Sequence, residues 1–319
     1  MIQWTYATAR RALRSLRASR APSPSSLSTY LPAYEKSVPD GLPKDFTPWR
    51  LTASFAHTHN TKILRFQLPE KIADLHSVGA PAGIKVRRRI DGVVLDKSMS
   101  PISHPASAGY ADLLVRSYGH PPSSQGLGAF LCGMAPGDTV EVKVKPRKLF
   151  GGVPWATGTW SAVGLVGCGT GVAPLFQLAR AILPSDPSVT IKMISAHRGS
   201  EDILLGDEIA ALETEYPLQF QNTFVLSSQC GRISENDVAE DAPFISPSFS
   251  GGRGSSGEEE EEEDACHVVV CGTDGFLDTV CGPLVRVTVE GKAKKRKTQG
   301  PLKGLLRSAG FDASQVTKL

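Results

Sequence analysis

The chain has 319 residues, of which 40% are hydrophobic and 21% charged, a composition typical of a globular protein with room for two buried cores. Its formal net charge is +3, but residues 1–34 contain five arginines and no acidic residue. The rest of the chain therefore has 30 basic residues against 32 acidic ones, a net charge of −2 that argues against a nucleic-acid-binding protein.

The N-terminal segment has the pattern of an organelle transit peptide. Its apolar residues fall on one helical face, its arginines cluster on another, and it is rich in serine. We predict a mitochondrial transit segment over residues 1–34 and a linker over residues 35–45, at the end of a stretch, residues 21–45, that is rich in proline and serine. A disordered basic tail is the alternative interpretation.

Short segments with alternating apolar residues fill residues 46–155 and predict a small antiparallel β-barrel. The predicted strands are Trp49–Phe55, Thr61–Leu68, Gly83–Ile90, Val93–Lys97, Tyr110–Tyr118 and Thr139–Val144. His57 and His59 lie in the polar turn between the first two strands, where histidines are expected to face solvent rather than bind a metal. No cysteine pair has the spacing of a zinc site, so we predict no metal.

Residues 156–319 alternate between strand and helix patterns, which predicts a parallel sheet. In Val163–Leu183 a buried strand is followed by a turn with three glycines and by a helix whose first residue is predicted at Pro174. A turn of this kind directs backbone N–H groups at a phosphate. The segment also contains Arg180, so we do not predict a transmembrane span. Further strands are predicted at Ile191–Ser195, Phe220–Leu226 and His267–Val270, and further helices at Ile203–Thr214 and Pro301–Ala309.

Two insertions of low complexity interrupt this second domain. Residues 246–264 end in six glutamates and an aspartate, and residues 291–300 contain the basic run KAKKRK. Both are predicted to be disordered, solvated loops. The basic run also resembles a nuclear localisation signal, but beside the transit-like N-terminus we interpret it as a loop.

Six short motifs follow one another along residues 46–319. In chain order they are AGIKVRRRIDG, SMSPIS, ADLLVRSY, GCGTGVAP, AHRGSEDILL and VCGTDGF. Their order and spacing resemble the ferredoxin reductase-like flavoenzymes, and within them the NADH-cytochrome b5 reductase family. The resemblance implies an antiparallel FAD-binding barrel followed by a parallel-sheet nucleotide-binding domain. It also implies an enzyme that passes a hydride from nicotinamide to flavin, and then single electrons to a haem protein such as cytochrome b5.

The resemblance implies a flavin site in the barrel. Where the family has the motif R-x-Y-[ST], this chain has Lys97, Met99 and Ser100, so the charge and the hydroxyl are kept while the guanidinium fork and the aromatic face are lost. Arg116 and Tyr118 match a later segment that lines the flavin. Gly126, Leu127 and Gly128 match a short loop that gives backbone N–H groups to the pyrophosphate, with Gly128 replacing a hydroxyl residue.

The resemblance also implies a nicotinamide-nucleotide site in the second domain. The residues that match its phosphate turn are Gly167, Gly169, Thr170, Gly171 and Pro174. Cys271 and Gly272 match the Cys-Gly motif beside the nicotinamide, and Phe276 is close to them. Ser100 and Cys271 are the catalytic candidates. The family places an aspartate after the strand Phe220–Leu226, where this chain has Ser227, so the choice between NADH and NADPH stays open.

Two functional hypotheses remain. The first is an FAD-dependent NAD(P)H oxidoreductase with a haem-protein acceptor, without a transmembrane span but able to associate with a membrane surface. The second is a catalytically degenerate relative that serves as a structural or regulatory subunit of a mitochondrial complex, because the flavin motif has changed more than the nucleotide turn.

Overall fold

The structure is a computed structural model. It describes residues 45–70, 72, 75, 83–90, 92–104, 107–118, 126–145, 160–238, 266–287 and 296–319. The predicted transit segment, the linker up to residue 44, the acidic insertion and residues 291–295 of the basic insertion lie outside the described residues.

Six strands form an antiparallel sheet in the order β4-β3-β6-β1-β2-β5. They are β1 (Thr47–Thr58), β2 (Thr61–Gln67), β3 (Gly83–Ile90), β4 (Val93–Met99), β5 (Tyr110–Arg116) and β6 (Thr139–Lys145). The edge strands meet just after β4, where Pro101 forms a bridge with Leu113 and the Ile102 N–H donates to the Asp112 carbonyl at 2.8 Å. The prediction of an antiparallel barrel is therefore confirmed.

Alternating apolar residues build the core of this barrel. Leu64 and Phe66 on β2, like Ile84 and Val86 on β3, are fully buried and two residues apart, because successive side chains of a strand point to opposite faces. A short helix, α1 (Leu127–Gly133), packs into the same core. Burial of one face of β1, β2, β3 and β6 explains why the period-2 pattern predicts these strands, whereas β5 is buried on both faces.

The second domain is a parallel sheet with helices, as predicted. Its strands are β7 (Ala162–Cys168), β8 (Thr190–His197), β9 (Phe220–Leu226), β10 (Cys266–Cys271), β11 (Leu284–Val287), β12 (Arg296–Gln299) and β13 (Val316–Lys318). Its helices are α2 (Val172–Ile182), α3 (Gly206–Glu215), α4 (Ser227–Cys230), α5 (Glu235–Val238), α6 (Asp274–Val280) and α7 (Gly304–Ser308). The parallel sheet has the order β13-β10-β7-β8-β9, whereas β11 and β12 form a separate antiparallel pair.

The helix after the glycine turn begins earlier than the sequence predicted. Residues 169–171 form a short 3-10 helix and α2 starts at Val172, so Pro174 is its third residue rather than its first. Proline is tolerated there because an N–H group in the first turn has no acceptor within the helix. The predicted apolar face of α2 is confirmed, since Leu175, Leu178 and Ile182 are fully buried.

The C-terminal region differs from the prediction in two places. Residues 296–299, predicted as part of a disordered loop, form β12, and the predicted helix Pro301–Ala309 begins only at Gly304. Lys318 contacts the chain at both places: its buried ammonium donates to the carbonyl groups of Pro283 at 3.3 Å, Gly300 at 3.1 Å and Pro301 at 2.9 Å. These contacts hold the chain on either side of the β11–β12 pair against β13.

Polar and apolar contacts join the barrel to the second domain. Ile102 and Leu114 of the barrel belong to the apolar core around α2, and the Arg180 Nη1 donates to the Ile102 carbonyl at 3.2 Å. His57 was predicted to face solvent, and this prediction is wrong. Its Nε2 accepts a hydrogen bond from the Leu205 N–H at 3.0 Å. Burial lowers the pKa of His57, which favours the neutral ring that this contact needs.

Candidate active site

A cleft of about 760 Å³ is lined by residues of both domains, a size in the range of small-molecule sites, roughly 300–1,000 Å³. The predicted site residues that line it are Lys97, Met99, Ser100, Arg116, Tyr118, Gly128, Gly169, Thr170, Gly171, Pro174, Cys271, Gly272 and Phe276. Gly126, Leu127 and Gly167 are not part of the lining. The fold thus brings together segments that are more than a hundred residues apart in the sequence.

The barrel side of the cleft has the chemistry that a flavin dinucleotide needs. The Lys97 side chain is exposed at the end of β4, Met99 is half-buried and packs on the barrel core, and Ser100 is buried beyond the strand. An ammonium suits a pyrophosphate, a thioether suits an aromatic ring, and a hydroxyl can donate to or accept from a ring nitrogen. The residues present therefore fit FAD.

The resemblance implied a loop at Gly126, Leu127 and Gly128. In the structure, Gly126 instead caps α1 and the other two are its first residues. A Cβ atom at Gly128 would overlap the backbone carbonyl of Arg116 on β5. Glycine thus allows α1 to lie directly on this strand. Close packing of α1 on β5 therefore leaves no room for a side chain with a hydroxyl at position 128.

Arg116 links the two domains at the edge of the cleft. Its Nη2 donates to Oδ1 of Asp202 at 2.5 Å, and Asp202 is only 4% exposed. Asp202 belongs to a short 3-10 helix, Ser200–Asp202, between β8 and α3. The guanidinium also lies 5.9 Å from the ring centroid of Tyr118. Both residues line the cleft, and their contact with a flavin stays a prediction.

On the opposite side, two turns that follow neighbouring strands pack closely together. A Cβ atom at Gly171 would overlap the Cys271 carbonyl, so the glycine turn after β7 lies directly against the turn after β10. Cys168 also lines the cleft, and burial raises the pKa of its thiol while hydrogen bonding with Thr273 opposes that shift. These backbone turns form the floor on which a dinucleotide would lie.

His197 is a further cleft residue, at the end of β8. Its ring lies 6.2 Å from that of Phe224 on β9. Burial lowers its pKa to about 4; the Asp202 carboxylate opposes this shift and the Arg116 guanidinium adds to it. The imidazole is therefore neutral at physiological pH.

The lining also contains residues that the sequence prediction did not name as site residues, among them Cys168, His197, Arg198, Arg232 and Thr273. Most of them lie at or just beyond the carboxyl ends of parallel strands, the edge at which α/β sheets bind ligands. This position is the signal that would have identified them. Among the residues that the structure describes, no group of three His, Cys, Asp or Glu side chains is placed to hold a metal ion.

Comparison with known proteins identifies both domains. Residues 48–148 match the family described as "Oxidoreductase FAD-binding domain", and residues 165–282 match "Oxidoreductase NAD-binding domain". NADH-cytochrome b5 reductase 2 of Yarrowia lipolytica is 30% identical over 270 residues, which cover 84% of each chain. The chain belongs to the NADH-cytochrome b5 reductase family. The protein of the same name from Neurospora crassa is 29% identical over 267 residues, covering 82% of this chain and 69% of that protein.

Solved structures of this family's fold agree with the two-domain architecture. The cytochrome b5 reductase domain of Ulva prolifera nitrate reductase has a TM-score of 0.64 at 22% identity, covering 87% of this chain and 98% of that chain. The CS-b5R domains of human Ncb5or, in the NAD+ form, have a TM-score of 0.59 at 17% identity, covering 88% and 70%. The chain is thus an oxidoreductase with FAD- and NAD-binding domains, and the predicted cofactors are confirmed at that level. The alternative of a degenerate structural subunit gains no support from these relatives.

Proposed function

We propose that this reductase passes electrons from a reduced pyridine nucleotide, by way of FAD, to a haem protein such as cytochrome b5. One observation supports this proposal above all: Ser100 at the end of β4 and Cys271 at the end of β10 line the same cleft. A flavin held by the barrel and a nicotinamide held by the second domain would therefore meet there. Positioning the two reactants in one cleft is the protein's main contribution to such a transfer.

Each side of the cleft would have a separate role. The Lys97 ammonium would bind the flavin pyrophosphate, and the buried Ser100 hydroxyl would orient the ring by a hydrogen bond. The Gly169–Gly171 turn would bind the nucleotide phosphates through backbone N–H groups, and the Cys271 thiol would contact the nicotinamide. The Arg116–Asp202 ion pair would keep the two domains in register. FAD, when bound, supplies the exchange between hydride transfer and one-electron transfer.

The acceptor is tested by comparing a haem protein with a small oxidant. The FAD-loaded chain is expected to reduce both ferricyanide and cytochrome b5, with either NADH or NADPH as the electron donor. Ferricyanide needs no protein docking, so it controls for the flavin and nucleotide steps. Reduction of ferricyanide without reduction of cytochrome b5 would rule out this acceptor and leave the reductase chemistry intact.

We also propose a mitochondrial location for the protein. The support is the N-terminal segment, with five arginines and no acidic residue in residues 1–34. A fusion of residues 1–45 to a fluorescent protein is expected to enter mitochondria. The same fusion with all five arginines changed to glutamine is expected to stay outside, and equal import of both would contradict the proposal.

In the part of the chain that the structure describes, no helix has the length and hydropathy needed to cross a bilayer.

A further inference from the structure

The end of the cleft beside β9 contains a group of polar residues that no step above uses. Arg198 directly follows β8, Ser227 is the first residue of α4, and Arg232 follows α4, and all three line the cleft. Strands β8 and β9 are paired so that His197 lies opposite Leu226. Residues 198 and 227 are therefore neighbours at the edge of the sheet. The Ser228 N–H donates to the Arg198 carbonyl at 2.8 Å, which fixes this arrangement.

The charge at this end of the cleft is positive. The lining residues include Lys97, Arg116, Arg198 and Arg232 but no aspartate or glutamate. Arg116 is paired with Asp202, and Lys97 lies on the barrel side. Within the described residues Arg198 and Arg232 form no ion pair, and both side chains are exposed. Two guanidinium groups in the lining of the cleft that contains Ser227 are therefore available to a ligand.

In dinucleotide-binding sheets, residues at this edge discriminate between the two pyridine nucleotides. A carboxylate at this edge of a dinucleotide-binding sheet accepts the adenosine ribose hydroxyls of NADH and repels a 2′-phosphate, whereas an arginine accommodates the 2′-phosphate. Here Ser227 provides a hydroxyl donor at the end of β9. Guanidinium groups match the geometry of a phosphate through paired hydrogen bonds.

We propose that Arg198, Ser227 and Arg232 bind the 2′-phosphate of NADPH, and that this reductase prefers NADPH to NADH. The inference rests on the proposed function for its place in the reaction, because it names the electron donor. The binding site itself depends only on the three residues and on the absence of carboxylates from the lining of the cleft.

The test measures binding of two nucleotide fragments to the full chain by isothermal titration calorimetry. The probes are 2′,5′-ADP, which carries the 2′-phosphate, and 5′-AMP, which lacks it. We expect 2′,5′-ADP to bind at least about tenfold more tightly, as for the gain of a charge-assisted hydrogen bond. Arg232→Ala and Arg198→Ala should each weaken 2′,5′-ADP binding about tenfold and leave 5′-AMP binding unchanged.

Two more variants sharpen the test. Ser227→Asp should reverse the preference in favour of 5′-AMP, because it introduces the repelling carboxylate. Arg286→Ala is the control, since Arg286 is an exposed arginine on β11 outside the cleft, and it should bind both probes as the wild type does. Equal affinity for the two probes, no binding of either, or equal weakening of both by the arginine variants would overturn the inference.

These outcomes are separate from those of the proposed function. Neither fragment contains nicotinamide and neither binding measurement needs FAD, so a chain without reductase activity can still show the preference for 2′,5′-ADP. Conversely, a chain that reduces ferricyanide with NADH and does not distinguish the two fragments keeps the proposed function and refutes the nucleotide preference.

Discussion

Replacing His267 by glutamine is expected to reduce the loss of stability that this protein undergoes in acid. His267 is buried on β10, its Nε2 lies 2.9 Å from the Thr317 hydroxyl oxygen on β13, and its ring stacks on Trp160 with centroids 4.8 Å apart. Burial lowers its pKa from 6.5 to about 4. The folded protein thus holds this ring neutral at a pH where the unfolded chain protonates it.

The sign and size of the effect follow from this difference. Stability from a lowered histidine pKa is complete above the unfolded pKa of 6.5 and is lost as the pH falls towards 4. A pKa difference of about 2.5 corresponds to about 3.4 kcal/mol in full, and to about 2 kcal/mol at about pH 5. His197 has the same lowered pKa, so the two rings together should cost the wild type about 4 kcal/mol at about pH 5.

The assay is urea unfolding followed by circular dichroism at about pH 8 and about pH 5. His267→Gln should lose about 2 kcal/mol less than the wild type between these values. Thr317→Val is the control, because it removes the hydroxyl partner but keeps the buried ring, and it should keep the full acid-dependent loss. An identical loss in His267→Gln and wild type would refute the reasoning.

Two further changes test the domain contact and the flavin site. Asp202→Asn leaves the Arg116 guanidinium without its carboxylate and should lower the free energy of unfolding by about 2–3 kcal/mol. Glu141→Gln is the control, because it breaks the exposed ion pair of Glu141 with Arg89, and it should cost less than about 1 kcal/mol. Similar losses of both variants in urea unfolding would contradict the role of burial. Lys97→Arg with Met99→Tyr should tighten FAD binding about fivefold or more, because an aromatic face and a guanidinium fork are restored. Unchanged or weaker binding in a fluorescence titration would show that these residues do not contact the flavin.

The barrel could be predicted because four of its strands, β1, β2, β3 and β6, each bury one face. The alternation at Ile84 and Val86 is visible in the sequence, and both side chains are fully buried. The C-terminal region could not be predicted in the same way. Its β12 pairs with β11, and Lys318 contacts the chain on either side of this pair, at carbonyl groups up to 35 residues away. The sequence alone does not indicate that Lys318 is buried, because lysine is rarely buried without partners and its partners here are backbone carbonyl groups that are distant in the sequence.

The candidate site was predictable where its residues form a local motif. The glycine turn follows β7 and the pair Cys271 and Gly272 lies at the end of β10, so a short segment of sequence defines each of them. The Arg116–Asp202 ion pair joins residues 86 positions apart on different domains, and no pattern in either segment indicates the other. Likewise, Gly128 appeared to be the loss of a hydroxyl, whereas the structure gives it a packing role against β5.

The visible absorption spectrum of the purified full chain, recorded with FAD before and after anaerobic addition of NADH or NADPH, tests the central claim most directly. We expect a bound-flavin spectrum that either nucleotide bleaches, with NADPH effective at the lower concentration. A chain that takes up no FAD, or whose bound flavin neither nucleotide bleaches, would contradict its function as a reductase.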